Sequence, residues 1–296
     1  MTLHDHQIRR RVRDRYALAA QTEVPCCAPK PCRCGRPGSD AAKAGSMIGY
    51  SEEDLTLVPE DSNLGLGCGN PAALAGLKRG ETVLDLGSGA GIDCFLAAAK
   101  VGPSGRVIGV DMTPEMLDRA RENVRKSRAR NIELRLGEIE NLPAADGSVD
   151  AVISNCVINL SPDKERVFRE AFRILRPGGR LMVSDLALAK PLPPALRESV
   201  EVYVACVAGA LLKRDYLAAI QKAGFRDVEI VGEKVFPSEL VVDDAKIPGL
   251  ARKLGLSRKR LREHISSVLS LSVRAAKPGR DPIPAPGRRR SKSKRR

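Results

Sequence analysis

The sequence predicts an α/β protein built on a doubly wound, mostly parallel sheet, and three observations carry that reading. Five short runs rich in Val, Ile and Leu (TVLDLG, RVIGVDM, IELRLGE, DAVISN and RLMVSDL) recur between residues 82 and 186. Helical patterns separate them, and alternating strands and helices build parallel sheets. A glycine-rich turn, Gly87 to Gly91, follows the first run, where a doubly wound sheet opens its ligand crevice.

The elements follow in order. Residues 1–44 are expected to be a flexible, Cys-rich N-terminal arm. Its Arg-rich start has helical character, whereas PCCAPKPCRCGRPGS holds too much Pro, Gly and Cys for regular structure. Residues 45–190 hold the alternating strands and helices. Thr113 with Pro114 opens the helix PEMLDRARENVRKS. Pro177, Gly178 and Gly179 close the helix beginning at DKERVFREAF. Residues 191–275 predict a smaller α+β portion covering one end of the sheet. In it a helix through ESVEVYVACVAGALL leads into KRDYLAAIQKAGF. The strand DVEIVGEKVF, a helical stretch and the strand SLSVRAA follow. Residues 276–296 are Pro-rich, then basic, with nothing to bury, and predict a disordered tail.

Composition narrows the function classes. At 43% hydrophobic the 296-residue chain has enough apolar side chains for a sizeable core. No apolar run approaches the roughly 18 residues of a membrane span, and the polar start has no apolar h-region. A cytoplasmic monomer is expected. The net charge of +14 is concentrated at the end, where residues 277–296 carry nine Lys or Arg against one Asp. Nucleic-acid contact therefore reduces to weak, salt-sensitive contacts of the tail. With 3% aromatics and no Trp, the chain lacks a stacking platform for bases. Eight cysteines in a reducing compartment point to ligation or redox chemistry rather than a disulfide framework.

VLDLGSGAGID is the most specific local signal. A strand delivers Asp85, and Gly87, Gly89 and Gly91 turn tightly into a helix. The spacing is G-x-G-x-G, whereas a dinucleotide fingerprint reads G-x-G-x-x-G; an NAD enzyme is the competing reading. Asp111 ends the second strand 20 residues past Gly91, where an acid accepts hydrogen bonds from ribose hydroxyls. The shorter glycine motif, Asp111, LGEIENLP and LRPGGRLMVSDL together resemble the class I methyltransferases, whose sheet is Rossmann-like. The resemblance implies S-adenosylmethionine as methyl donor, its methionine part against the turn. The implied contacts are Asp85, Gly87, Ser88, Gly89, Gly91, Asp111, Met112 and Asn155, with Glu138 and Ile139 near the adenine.

For the acceptor, ISNCVINLSPDK lacks the aromatic N-P-P-Y-like motif of nucleic-acid amino methyltransferases. Histidine is confined to His4, His6 and His264, so a histidine general base is not expected. Three cysteines stand in telling places. Cys156 follows the fourth strand, Cys206 lies in the helical segment expected to fold over that edge, and Cys68 sits in the turn LGLGCGNP. They are 88 and 50 residues apart, which suits a site assembled by folding rather than a zinc ribbon's local pairs. Soft thiolates select thiophilic ions. Cys94, inside the helix after the glycine turn, is expected to pack in the core.

LGCGNP, VLDLGSGAGIDCFLAA, VDMTPEML, SNCVINL and the Cys206 segment resemble the arsenite S-adenosylmethionine methyltransferase family. The likeness runs from about Val12 to Pro278. It implies As(III), from arsenite or its thiol conjugates, bound by Cys156 and Cys206 with Cys68 joining. The arsenic lone pair would attack the sulfonium methyl without a base. Re-reduction by thiols would leave a disulfide between Cys68 and an arm cysteine, Cys26 or Cys27, reset by thioredoxin or glutathione. Cys32 and Cys34 are extra, and of the family's double-tyrosine-glycine start only Tyr16 remains. Thiolate binding is expected to release protons and weaken in acid. Two other readings stay open: a class I methyltransferase of a small organic acceptor with incidental cysteines, and a non-catalytic metalloid binder.

Overall fold

The computed structural model describes residues 5–21, 40–237, 247–253 and 255–279. Seven strands form one sheet: β1 (Thr82–Leu86), β2 (Arg106–Asp111), β3 (Ile132–Leu136), β4 (Val149–Asn155), β5 (Leu175–Leu188), β6 (Arg226–Val235) and β7 (Val268–Ala276). Their order is β3-β2-β1-β4-β5-β7-β6. β1 to β5 pair in parallel, and β7 is antiparallel to both β5 and β6. The last two strands thus extend the main sheet. The order reverses between β1 and β4, and a crevice opens at the carboxyl ends of strands at such a switch point.

Helices cover both faces. Before β1 come α1 (Asp5–Gln21), α2 (Asp40–Ile48), α3 (Glu52–Leu57) and α4 (Pro71–Leu74). Between strands lie α5 (Ile92–Val101), α6 (Pro114–Ser127) and α7 (Lys164–Ile174). After β5 come α8 (Pro194–Arg197), α9 (Val200–Val204) and α10 (Lys213–Lys222), and after β6 come α11 (Ile247–Lys253) and α12 (Arg258–Ile265). Alternate strand residues face opposite cores: Val83 packs with Cys94 and Phe95 of α5, while Leu84 and Leu86 pack with Phe168 of α7 and Tyr216 of α10. Phe168 and Tyr216 meet edge to face, ring centroids 5.5 Å apart. Cys94 is core, as expected, its thiol donating to Asp85 Oδ2 at 3.3 Å.

Several elements differ from the sequence reading. The first part of the expected arm is a docked helix: α1 packs on α6, and Arg119 of α6 donates to the Ala20 carbonyl at 3.0 Å. Thr113 stands at the N-cap of α6, but its side chain makes no capping bond. Asp111 Oδ1 accepts its backbone N–H at 2.8 Å instead. α7 stops at Ile174, and β5 starts before the proline, Leu175 pairing with Val149. A residue preceding proline is pushed toward extended backbone, so Arg176 belongs to the strand. The long helix expected through Cys206 is cut short: α9 ends at Val204. The stretch before β7 is two helices separated at Gly255, which has φ +63°. No helix among the described residues is long and apolar enough to cross a membrane.

Candidate active site

A cleft opens at the switch point, lined by the ends of β1, β2 and β4 and by α1. The glycine turn forms its floor. Gly89 has φ +53°, and the position of a Cβ there meets no atom within 4 Å; a side chain would be strained and would project into the space a ligand needs. Asp111 sits at the rim, with Oδ2 accepting the Gly89 N–H at 2.9 Å. Burial raises its carboxyl, while the backbone N–H donors of Thr113 and Gly89 pull it back. The buried Ser88 Oγ lines the cleft and has no hydrogen-bond partner among the described residues. An orphaned hydroxyl, an open glycine turn and an oriented acid fit a ligand with hydroxyls and positive charge, as S-adenosylmethionine is.

Asp85, Gly87, Met112, Ile139 and Asn155 line this cleft too. Gly91 instead caps α5, in the left-handed conformation. Glu138 faces elsewhere, reaching Arg9 Nε at 3.6 Å and Arg13 Nη2 at 3.7 Å. Gly137, Ile139 and Glu140, in the turn after β3, line the cleft around it.

Sequence reasoning missed several residues. Tyr50 donates to Asp93 at 3.0 Å, and Asn155 Nδ2 bonds Tyr50 Oη at 2.8 Å and Asp93 Oδ2 at 3.0 Å. Asp93 lies only two residues past Gly91, so its place beside the motif was a usable signal; Tyr50 had none. Arg9, Val12 and Tyr16 of α1 roof the cleft. Arg9 holds Glu140 Oε1 at 3.2 Å, and Ser161 Oγ donates to the same oxygen at 2.7 Å.

Asp93 gives a pH dependence. Burial lifts its carboxyl from near 3.8 to about 6, with Asn155 and Tyr50 opposing the shift and Asp54 adding to it. Asp85 beside it is raised by burial and by repulsion from Asp93. A carboxyl raised by folding gives its full stabilisation while protonated, below about pH 4, and loses it as pH rises through about 6. A cationic ligand in the cleft offsets that loss. The rise in melting temperature on adding S-adenosylmethionine is therefore expected to be larger at pH 7 than at pH 5, and Asp93→Asn to shrink the difference. Equal rises in the wild type at both pH values would contradict this.

The three separated cysteines meet beside the cleft. Sγ of Cys68, Sγ of Cys156 and a carboxylate oxygen of Asp185 lie within 4.8 Å of one another. The Cys206 thiol donates to the Cys156 carbonyl at 3.2 Å, and the thiols of Cys156 and Cys206 interact directly. Cys156 lines the cleft, with Cys68 and Cys206 behind it. All three are reduced and buried, as is Cys94. Cys26 and Cys27, and the pairing expected of one of them with Cys68, lie outside the described residues.

Backbone geometry aims the thiols. Cys68 is held by its N–H to Asn155 Oδ1 at 2.9 Å and by Ser270 Oγ on its carbonyl at 2.6 Å. Next to it, a Cβ on Gly69 would lie 2.5 Å from Ser184 Cβ, so only glycine lets this turn press onto β5. Cys156 and Cys206 are both left-handed, at φ +57° and +64°, a conformation costing a non-glycine residue about 1–2 kcal/mol. Cys206 follows α9 where glycine is usual, with Val207 N–H bonding back to Val202 O at 3.2 Å. That is the Schellman closure of a helix end. Tyr16 Oη of α1 approaches Cys206 Sγ at 3.7 Å, tying the roof to the thiols.

Burial pushes the Cys68 thiol up to about 11, partly opposed by Cys156. For Cys156 the hydrogen bond with Cys206 lowers the value, but the bond with Cys68 and burial outweigh it. Cys206 is raised by Cys156 and then by burial. Burial lifts Asp185 to about 7, against the Leu186 N–H, the Lys164 charge and the Tyr216 hydroxyl.

The strand order, the glycine turn with Asp111, and the cleft at the switch point define a class I, S-adenosylmethionine-dependent methyltransferase. A family profile described as a methyltransferase domain matches residues 77–224, half of the chain. An arsenite methyltransferase of Halobacterium salinarum is 46% identical over 281 residues, covering 93% of this chain and 68% of that protein. One from Aquipseudomonas alcaligenes is 42% identical, covering 74% of this chain and 63% of that protein. The crystal structure of an arsenic(III) S-adenosylmethionine methyltransferase from Chlamydomonas reinhardtii superposes with a TM-score of 0.58 at 33% identity, covering 83% of this chain and 74% of that one. The chain belongs to the arsenite methyltransferase family, and it spans about two thirds of the length of the two curated relatives.

Proposed function

We propose that the protein transfers a methyl group from S-adenosylmethionine to trivalent arsenic held by Cys68, Cys156 and Cys206. The observation that carries this is the meeting of three sequence-distant thiols behind the cofactor cleft, with Cys156 at the boundary. Three soft donors suit a thiophilic acceptor that brings its own lone pair. The residues' work is then placement: the thiols fix the arsenic, while the glycine turn, Ser88 and Asp111 fix the donor, so that the two meet at near-attack distance. When bound, S-adenosylmethionine supplies an electrophilic methyl on a cationic sulfur.

Proton bookkeeping departs from the expectation of acid-weakened binding. Buried, raised thiols meet arsenous acid in the protonated form. Each As–S bond then releases one hydroxyl, which leaves with the thiol proton as water. Binding is proton-neutral as long as both partners are uncharged.

The N-terminal cysteines enter after transfer, which formally leaves arsenic pentavalent. Reduction by a pair of thiols, one of them Cys68 and the other Cys26 or Cys27, is the reading that the family resemblance supports, and a thioredoxin- or glutathione-type thiol would reset the disulfide. A site that works through free thiols suits a reducing compartment such as the cytoplasm. X-ray absorption at the arsenic edge tests the site: three sulfur neighbours are expected for the wild type and two for Cys206→Ser. A sulfur count unmoved by Cys206→Ser would place the arsenic elsewhere.

A further inference from the structure

Asp185 stands against the thiols and is not among the residues that line the cleft. It is 1% exposed, inside β5, with a carboxylate oxygen within 4.8 Å of both Cys68 Sγ and Cys156 Sγ. Three donors converge on it: Asn159 Nδ2 at 2.9 Å and the Leu186 N–H at 2.9 Å on Oδ1, and the Tyr216 hydroxyl at 3.2 Å on Oδ2. Donors from three directions fix where its carboxyl sits, and positive charge arising beside a buried carboxyl favours its ionised form. No Lys or Arg among the described residues forms an ion pair with it. The nearest influence is Lys164, whose amine donates to the Ser161 carbonyl at 2.7 Å.

The reaction itself supplies a cation. Trivalent arsenic on three thiolates is neutral. Its lone pair forms the new As–C bond as the methyl–sulfur bond breaks, and that bond's electron pair stays on sulfur. The sulfonium becomes a neutral thioether, and the arsenic, now formally pentavalent, carries the unit positive charge. No proton moves. The charge travels from the cleft toward the thiols, and so toward Asp185.

We infer that Asp185 is the counter-charge for the arsenic cation that forms during methyl transfer, a positioned carboxyl group whose attraction as carboxylate is greatest in the transition state and the product. This rests on arsenic binding at Cys68, Cys156 and Cys206. Preorganised charge aimed at charge that develops in a dry site acts on the chemical step more than on binding. Asp185→Asn keeps size and shape and removes the charge.

The test is single-turnover methyl transfer in the full-length protein preloaded with arsenite, alongside arsenite binding read as the sulfur count at the arsenic edge. Asp185→Asn is expected to keep three sulfur neighbours and to bind arsenite within about threefold of wild type, while its transfer rate falls about a hundredfold. A rate equal to wild type would overturn the inference. So would a loss of arsenite affinity as large as the loss of rate, since that marks a merely structural acid. Should the Asn variant fail to fold, Asp185→Glu and Asp185→Gln, equal in length and different in charge, decide it. A Glu variant at least tenfold faster than Gln supports the counter-charge, and equal rates overturn it. A wild type lacking three sulfur neighbours removes the arsenic site itself, an outcome separate from equal rates at an intact site.

Discussion

Cys156→Ser is expected to lower arsenic methylation about a thousandfold and to leave S-adenosylmethionine affinity within about twofold. Cys156 joins the two halves of the site: it lines the cofactor cleft, and its thiol meets those of Cys68 and Cys206. Serine matches it in size but offers a hard oxygen in place of a soft sulfur, so arsenic would lose the ligand nearest the donor. The left-handed backbone at this residue is held by its N–H to the Ser184 carbonyl at 2.8 Å, and serine retains that bond. The fold is therefore expected to persist, which melting and cofactor titration would check. A serine variant with more than a tenth of wild-type activity would show that the thiol is not a ligand in the productive complex.

Asp111→Ala is expected to raise KM for S-adenosylmethionine about a hundredfold, with kcat at saturating donor changed less than about threefold. Its carboxylate orders the glycine turn through Gly89 N–H and the start of α6 through Thr113 N–H. Both oxygens keep capacity for ribose hydroxyls, and hydrogen bonds to a charged acceptor contribute about 1.5–3 kcal/mol each. Steady-state kinetics with varied donor at fixed arsenite would read the effect. An unchanged KM would mean that the ribose lies elsewhere.

How much of this was legible follows from the range of the forces involved. β1, β2, β4 and β5 announce themselves because a sheet buried on both faces needs continuous apolar runs, as in DAVISN, whereas the edge strand β3 alternates apolar and charged residues in IELRL. The glycine turn is equally local, since its backbone conformation depends on residues adjacent in the chain. Their places after β4, in the covering segment and in the Gly-rich turn singled out the three cysteines, but only the resemblance made them one ligand set, because residues 88 and 50 positions apart reveal no contact by spacing. Cys206 shows the limit most clearly. The apolar stretch around it has a helical pattern, yet the chain leaves the helix after Val204 and adopts a left-handed turn that brings the thiol onto the Cys156 carbonyl. Asp185 sat in view in VSDL, but nothing local distinguishes an acid facing the thiols from one facing solvent. Tyr50 and α1 reach the cleft through packing alone, and no sequence pattern marks them.

The central claim is that the thiol cluster presents arsenic to the bound donor. The most direct measurement is a single turnover of wild-type protein, loaded with arsenite, against S-adenosylmethionine carrying a labelled methyl group, with a thiol reductant present. The label is expected on arsenic, one methyl per donor consumed. Folded protein that binds both the donor and arsenite and yet leaves the label on the donor, or delivers it to an organic acceptor, would contradict it.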